Sequence, residues 1–171
     1  MNSKLKKTVI AAIMAALTAV VGRLIVIPLP GNGFLNIGDS FVCLSGLILG
    51  PVWGGAAAGI GALFTDLLAG YPIYAPATFV IKFAMGAVCG LIMKKADVLS
   101  HGKRILMTIL GGALCELIMV GGYFVFEIFL YDFHTAALDI AGNLIQGGGS
   151  LVAFVLLAEV VKRLNLKAKL K

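Results

Sequence analysis

Acidic residues are scarce in this 171-residue chain: eight Asp and Glu stand against fourteen Lys and Arg, and charged residues of both signs make up only 13%. So little charge cannot solvate a globule that is 60% hydrophobic, which excludes an ordinary water-soluble domain and points to a bilayer as the solvent. Cysteine is also rare. Cys43, Cys89 and Cys115 are odd in number, lie in apolar stretches and lack CxxC spacing, so neither a disulfide framework nor a metal site is expected and they read as small packing residues. The two histidines, His101 and His134, fall in opposite loops, and no Ser/His/Asp or His/Glu spacing assembles a nucleophile or metal centre. The chain therefore reads as a non-enzyme without a cofactor. A GxxxxGK[ST] loop is missing as well, which excludes direct use of ATP in the P-loop manner. Gly59-x-Gly61 lacks both the preceding strand and the third glycine of a dinucleotide loop.

The charge that is present is arranged. Twelve of the fourteen basic residues form three clusters: Lys4, Lys6 and Lys7; Lys94, Lys95, Lys103 and Arg104; and Lys162, Arg163, Lys167, Lys169 and Lys171. Long apolar stretches separate them, so an even number of crossings between clusters keeps all three on one side and places both termini in the cytoplasm. The net charge of +6 thus sets topology, and without interleaved aromatics it is not a nucleic-acid footprint. The apolar start is read as a span rather than a cleaved signal peptide, because no A-x-A-like site ends it and apolar character resumes beyond Arg23.

At about 20 residues per span, six helices fill the chain as a single transmembrane unit, residues 1–171. The expected helices run from about Thr8 to Ile27, Asp39 to Leu49, Val52 to Ala69, Ala77 to Met93, Ile105 to Leu130 and Leu138 to Leu164. Pro28 and Pro30 stop the first, and Lys94 to Arg104 is expected to be the longest inner loop. The second is too short to cross squarely, so it tilts or begins earlier in the preceding loop. Small residues at four-residue spacing on the third, Gly55, Gly59, Ala58 and Ala62, predict close approach of a neighbour.

An ionisable side chain at membrane depth is costly, so each one is a functional candidate. Lys82 lies five to seven residues into the fourth helix, where it either snorkels outward or points into an outward cavity. Asp39, Asp66, Glu116 and Glu127 are its candidate partners. Glu116, Tyr123 and Glu127 share one helical face, and Asn143, Gln146 and Ser150 share another. With Tyr71 and Tyr74 above, these stripes describe a small-molecule pocket of mixed polarity; interhelical hydrogen bonding without a ligand is the plain alternative.

The blocks Asn36-Ile-Gly-Asp39, Leu49-Gly-Pro-Val-Trp-Gly-Gly55, Asp66-Leu-Leu-Ala-Gly-Tyr71 and Ala75-Pro-Ala-Thr-Phe-Val-Ile-Lys82 resemble the substrate-binding S components of energy-coupling factor (ECF) vitamin transporters. The likeness is greatest to the riboflavin-type group, in the branch that takes up vitamin B6 forms or hydroxymethylpyrimidine. It covers about residues 8 to 93 well. The resemblance implies an all-α, six-helix S-component fold in the bacterial plasma membrane, a vitamin bound near the outer face, and a complex with a transmembrane T component and two cytoplasmic ATPases. It also implies an AxxxA docking row for the T component, matched by Ala11, Ala15 and Ala19, with Ala12 and Ala16 as a second row. For the substrate site, Asn36, Asp39, Lys82, Asn143 and Gln146 could hydrogen-bond a hydroxylated heteroaromatic ring, and Tyr71, Tyr74 or Tyr123 could stack on it. That chemistry suits pyridoxine, pyridoxal or hydroxymethylpyrimidine; riboflavin is expected to need a larger pocket. A stand-alone ion-coupled carrier using Asp66, Lys82 or Glu116 is the competing reading, and a ligand-free structural or regulatory membrane protein is the third.

Overall fold

A computed structural model describes residues 3–24, 26–28 and 34–164. The loop centre Pro30 to Gly33 and the basic residues Lys167, Lys169 and Lys171 lie outside them. The described elements are α1 (Ser3–Leu24), a hairpin of β1 (Val26–Pro28) and β2 (Phe34–Asn36), then α2 (Gly38–Leu49), α3 (Pro51–Ala69), α4 (Ala75–Ala96), α5 (His101–Leu130) and α6 (Phe133–Arg163). All helices but α2 are long and apolar enough to cross a bilayer. The chain is thus an all-α membrane protein of six helices, five of spanning length and one short. Large apolar side chains such as Leu24, Val80, Phe129 and Leu138 are exposed, as helices in hydrocarbon require.

The sequence reading is corrected at several boundaries. The first helix ends at Leu24, and the stretch read as its end pairs as an antiparallel strand, Val26 opposite Asn36 and Pro28 opposite Phe34. Pro28 is tolerated there because a two-stranded hairpin leaves edges that need no donor. The short second helix begins at Gly38, one residue before the expected Asp39, and rises only about 18 Å, whereas the sixth begins five residues before the expected Leu138, at Phe133. The long inner loop shrinks to residues 97–100, because Lys94 and Lys95 form the last turn of α4, where cations suit the helix dipole, and α5 starts at His101.

α3 is the centre of the packing and touches α1, α2 and α4. Its small residues make this possible on three sides. A Cβ on Gly54 would stand 2.5 Å from the Gly46 Cα of α2, one on Gly59 would stand 2.9 Å from the Phe79 carbonyl of α4, and one on Gly61 would stand 2.5 Å from the Ala15 carbonyl of α1. Such backbone-to-backbone approach supplies the van der Waals contact that holds helices together where no hydrophobic effect acts between them. α3 is entered from Gly50 and left at Gly70, both at positive φ, which lets the chain reverse twice without strain. α5 and α6 form a longer pair that leans on α4 and α2.

This packing bears on the docking row expected on α1. Ala19 is buried, and Ala15 faces Gly61 of α3, so the row Ala11, Ala15 and Ala19 packs toward α3 and the core instead of standing free. The second row, Ala12 and Ala16, is the exposed one.

Candidate functional site

A cavity of about 1400 Å³ opens between α1, the end of β2, and the near ends of α2, α3, α4, α5 and α6. Each charged wall residue is delivered by a helix end. Asp39 lies in the first turn of α2, Asp66 in the last turn of α3, Lys82 two turns into α4, and Glu127 in the last turn of α5. Their spans therefore reach the cavity from one end of the molecule, where a polar group meets less hydrocarbon.

Lys82 and Asp39 form the floor. Lys82 Nζ stands 2.6 Å from Asp39 Oδ1, with both side chains about 95% buried. Snorkelling is thereby excluded, since the lysine turns inward to a carboxylate on the neighbouring helix. The contact is a charge pair without hydrogen-bond alignment. The ammonium also stands 5.1 Å from the centroid of the Tyr123 ring, a cation–π approach. On its other oxygen, Asp39 Oδ2 accepts from Gln146 Nε2 at 2.9 Å, and Gln146 Oε1 accepts from Asn36 Nδ2 at 3.3 Å. Asn36 is itself fixed: its side-chain oxygen accepts from the Gly38 N–H at 2.9 Å, and its carbonyl accepts from Ser150 Oγ at 3.1 Å. One relay thus links α4, α2, α6 and β2.

Tyrosines form the opposite wall. The Tyr123 hydroxyl pairs with Thr78 Oγ1 at 3.0 Å, and Tyr74 donates toward Glu127 Oε1 at 3.5 Å and Tyr131 at 3.4 Å. Tyr74 packs edge-on against Tyr71 and Phe126, with ring centroids 6.4 and 5.3 Å away. Tyr71 is half exposed at the mouth.

Of the residues expected at the site, Asn36, Asp39, Tyr71, Tyr74, Lys82, Tyr123, Glu127, Asn143 and Gln146 line this cavity. Glu116 does not. It lies about two turns from the wall residue Tyr123, toward the start of α5, buried against Gly147 of α6, with neither carboxylate oxygen hydrogen-bonded within the described residues. The face it shares with Tyr123 and Glu127 is real, but a helix face runs deeper than the cavity does. Sequence reasoning passed over Thr78, Tyr131, Asp139, Thr18 and Arg23 as wall residues. Thr78 was legible, one turn before Lys82 and so on its face; Tyr131 and Arg23 sit at element ends whose direction the sequence does not set, and Thr18 and Asp139 face the cavity only through how α1 and α6 rotate against their neighbours. The size argument against riboflavin also falls, because 1400 Å³ exceeds the roughly 300–1,000 Å³ usual for small-molecule sites.

Two wall residues carry unfinished polar atoms. Asp66 Oδ2 and Glu127 Oε2 are buried and have no hydrogen-bond partner among the described residues. Buried polar groups are nearly always satisfied, so a cavity lined by these residues and by the Lys82–Asp39 pair is suited to a polar molecule.

Comparison with known proteins fits this geometry. The chain is 30% identical over 157 residues to the thiamine precursor transporter HmpT of Lactococcus lactis subsp. cremoris (strain MG1363), covering 91% of this chain and 85% of that one. It is 34% identical over 134 residues to an uncharacterized protein in gap 3'region of Pyrococcus woesei, covering 74% and 86% of the two chains. Residues 2–163 match the family described as ECF-type riboflavin transporter, S component. The family's description and HmpT's name both denote transport. With nearly the whole chain matched and its helices built to cross a membrane, this multi-pass membrane protein belongs to the ECF-type riboflavin transporter S-component family.

Proposed function

We propose that this chain is the substrate-binding subunit of an ECF-type transporter and that its cavity takes a small, hydroxylated nitrogen heteroaromatic, hydroxymethylpyrimidine ahead of pyridoxine. The observation that carries the reading is a pair of carboxylate oxygens without hydrogen-bond partners, Asp66 Oδ2 and Glu127 Oε2, on residues that line the same cavity as an ammonium held by Asp39. An aminopyrimidine with a hydroxymethyl arm offers ring nitrogens as acceptors for Lys82 and N–H and O–H donors for Asp66 and Glu127. Tyr74 and Tyr123 both line the cavity, their rings tilted 50° to each other with centroids 6.4 Å apart, and offer aromatic faces to a heteroaromatic ligand. Likeness to a thiamine precursor transporter along nine-tenths of the chain ranks the pyrimidine over the pyridine.

Energy then comes from partners, a transmembrane T component and two cytoplasmic ATPases, since the chain has no phosphate loop of its own. The exposed row of Ala12 and Ala16 on α1 is the flat face available for the T component. The orientation with both termini in the cytoplasm follows from the basic clusters and sets the cavity on the outer side.

Thermal-shift and native mass spectrometry of the purified chain with hydroxymethylpyrimidine, pyridoxine and riboflavin test the substrate directly. Stabilisation by the pyrimidine at the lowest concentration supports the ranking; stabilisation by riboflavin alone overturns it. Uptake that persists without the ATPases would instead make the chain an ion-coupled carrier.

A further inference from the structure

Cys43, Cys89 and Cys115 sit on three different helices, α2, α4 and α5, and their sulfurs converge so that all three lie within 4.8 Å of one another. Each residue is fully buried. The cluster lies directly beneath the cavity: Cys43 follows Asp39 by one turn and adjoins the wall residue Val42, and Cys89 follows Lys82 by two turns. Sequence spacing concealed it, because no two of the three are neighbours in the chain. Nothing in the substrate reading uses these thiols.

We infer that this triad is a three-thiol binding site for a trivalent metalloid, of which arsenous acid is the simplest form. Trivalent arsenic keeps a lone pair and binds three sulfurs as a pyramid with near-right-angle corners. Bonds of about 2.3 Å, the usual metal–thiolate length, then put the sulfurs about 3.5 Å apart, so closure from the observed triangle asks each side chain for a shift of less than about one ångström. The number of ligands excludes a structural zinc site, which needs four: no His, Asp or Glu joins the three sulfurs among the described residues. Charge then selects the ion. Three thiolates around a monovalent ion leave a net charge of −2 and around a divalent ion −1, and no cation pairs with the triad, since Lys82 is committed to Asp39. An uncompensated charge in an apolar interior is costly. Three thiolates around a trivalent centre are neutral.

The exchange balances without any oxidant. Arsenous acid carries three hydroxyls and three thiols carry three protons; three As–S bonds form, three As–O and three S–H bonds break, and three waters leave. The entering molecule is itself neutral and small, and the cavity floor at Val42 brings it within one residue of Cys43. Once formed, the three bonds tie α2, α4 and α5 together under the Asp39–Lys82 pair.

The test uses the full chain in detergent micelles, incubated with arsenite under reducing conditions. Because the chain has only three cysteines, the readouts are clean. Native mass spectrometry is expected to show one arsenic bound with the loss of three protons, arsenic X-ray absorption to show three sulfurs and no oxygen in the first shell, and the melting temperature to rise. Cys43→Ser, Cys89→Ser and Cys115→Ser are each expected to lower arsenite affinity at least tenfold. Absence of arsenic uptake, a first shell retaining oxygen, or binding that survives any one of the three substitutions would overturn the inference. Where a serine variant does not fold, the absorption spectrum of the wild-type chain alone decides, since it counts the sulfurs.

Discussion

Lys82–Asp39 and Arg104–Glu159 are both cation–carboxylate pairs between neighbouring helices, 2.6 and 2.9 Å long, yet they occupy different surroundings. The lysine pair is nearly sealed on both sides, faces a cavity, and passes its second carboxylate oxygen to Gln146 and Asn36. The arginine pair lies at the opposite end of α5, is not part of that cavity's lining, and has a partly exposed glutamate. His101 Nδ1 stands 3.0 Å from the same guanidinium nitrogen, so this end is a local cap on the α5–α6 pair. A buried charge is a functional candidate in a membrane protein, but the comparison shows that burial alone does not separate a site from a clasp. What separates them is the cavity: Lys82 and Asp39 line it, and Arg104 and Glu159 do not, although Arg104 Nη1 also has no hydrogen-bond partner among the described residues.

Breaking the lysine pair gives the largest effect. Lys82→Ala leaves Asp39 charged and buried, which costs about 3–5 kcal/mol of stability, and removes a charged hydrogen bond to the ligand worth roughly 1.5–3 kcal/mol, or about ten- to 150-fold in affinity. Isothermal titration on folded variant protein checks the affinity. Retained affinity would remove Lys82 from the binding site and leave its pair as a clasp like the other.

Arg104→Met is the control for that result. Glu159 is part exposed and can rehydrate, so the loss is about 1–3 kcal/mol. Ligand affinity stays within a factor of two, because Arg104 lies far from the cavity wall. A melting curve with and without ligand separates the two quantities. If affinity falls as far as it does for Lys82→Ala, the two ends of α5 are coupled and the distinction between site and clasp fails.

A second contrast lies within one helix. The Ala15 backbone lies so close to Gly61 that no Cβ fits between them, and Ala15 is part-buried, whereas Ala12 and Ala16 are exposed. Ala15→Trp therefore overpacks the α1–α3 contact and costs about 1–3 kcal/mol, and Ala12→Trp leaves stability and ligand affinity unchanged. In cells carrying the partner subunits, Ala12→Trp is expected to abolish uptake. Normal uptake would show that this face of α1 docks nothing.

How much of this was readable in the sequence depends on the range of the interaction. Six helices, the small-residue faces of α3 and the inward Lys82 follow from periodicity and from the cost of charge in hydrocarbon, both local properties. The choice of Asp39 over Asp66, Glu116 or Glu127 as the partner of Lys82 was not readable, because it depends on how α2 and α4 rotate against each other, and that is set by backbone contacts at Gly46, Gly54 and Gly86. Gly46 is pressed so closely on the Gly86 carbonyl that no side chain fits. The cysteine triad escaped for the same reason, and the hairpin escaped because three-residue strands carry too few residues to display a period.

The comparison extends to a carboxylate outside the membrane, and there the smallest effect is expected. Asp132 is fully exposed and caps α6: its Oδ1 accepts from the backbone N–H groups of His134 and Thr135 at 2.7 and 3.0 Å, and its Oδ2 accepts from the Thr135 hydroxyl at 2.8 Å. The Thr135 backbone N–H, helped by that hydroxyl, holds the Asp132 carboxyl below the usual aspartate range. Since the folded value lies below the unfolded one, the stabilisation is fully present above about pH 4, the ordinary aspartate value, and fades as pH falls through the lower folded value. Asp132→Ala removes the cap and should lower the melting temperature slightly at neutral pH, while Asp132→Asn keeps an acceptor and should restore most of it. The wild-type advantage over the asparagine variant should shrink on acidification. An advantage that grows instead would mean that the cap works mainly through shape, and that charge in water contributes as little here as the arginine clasp contributes to binding.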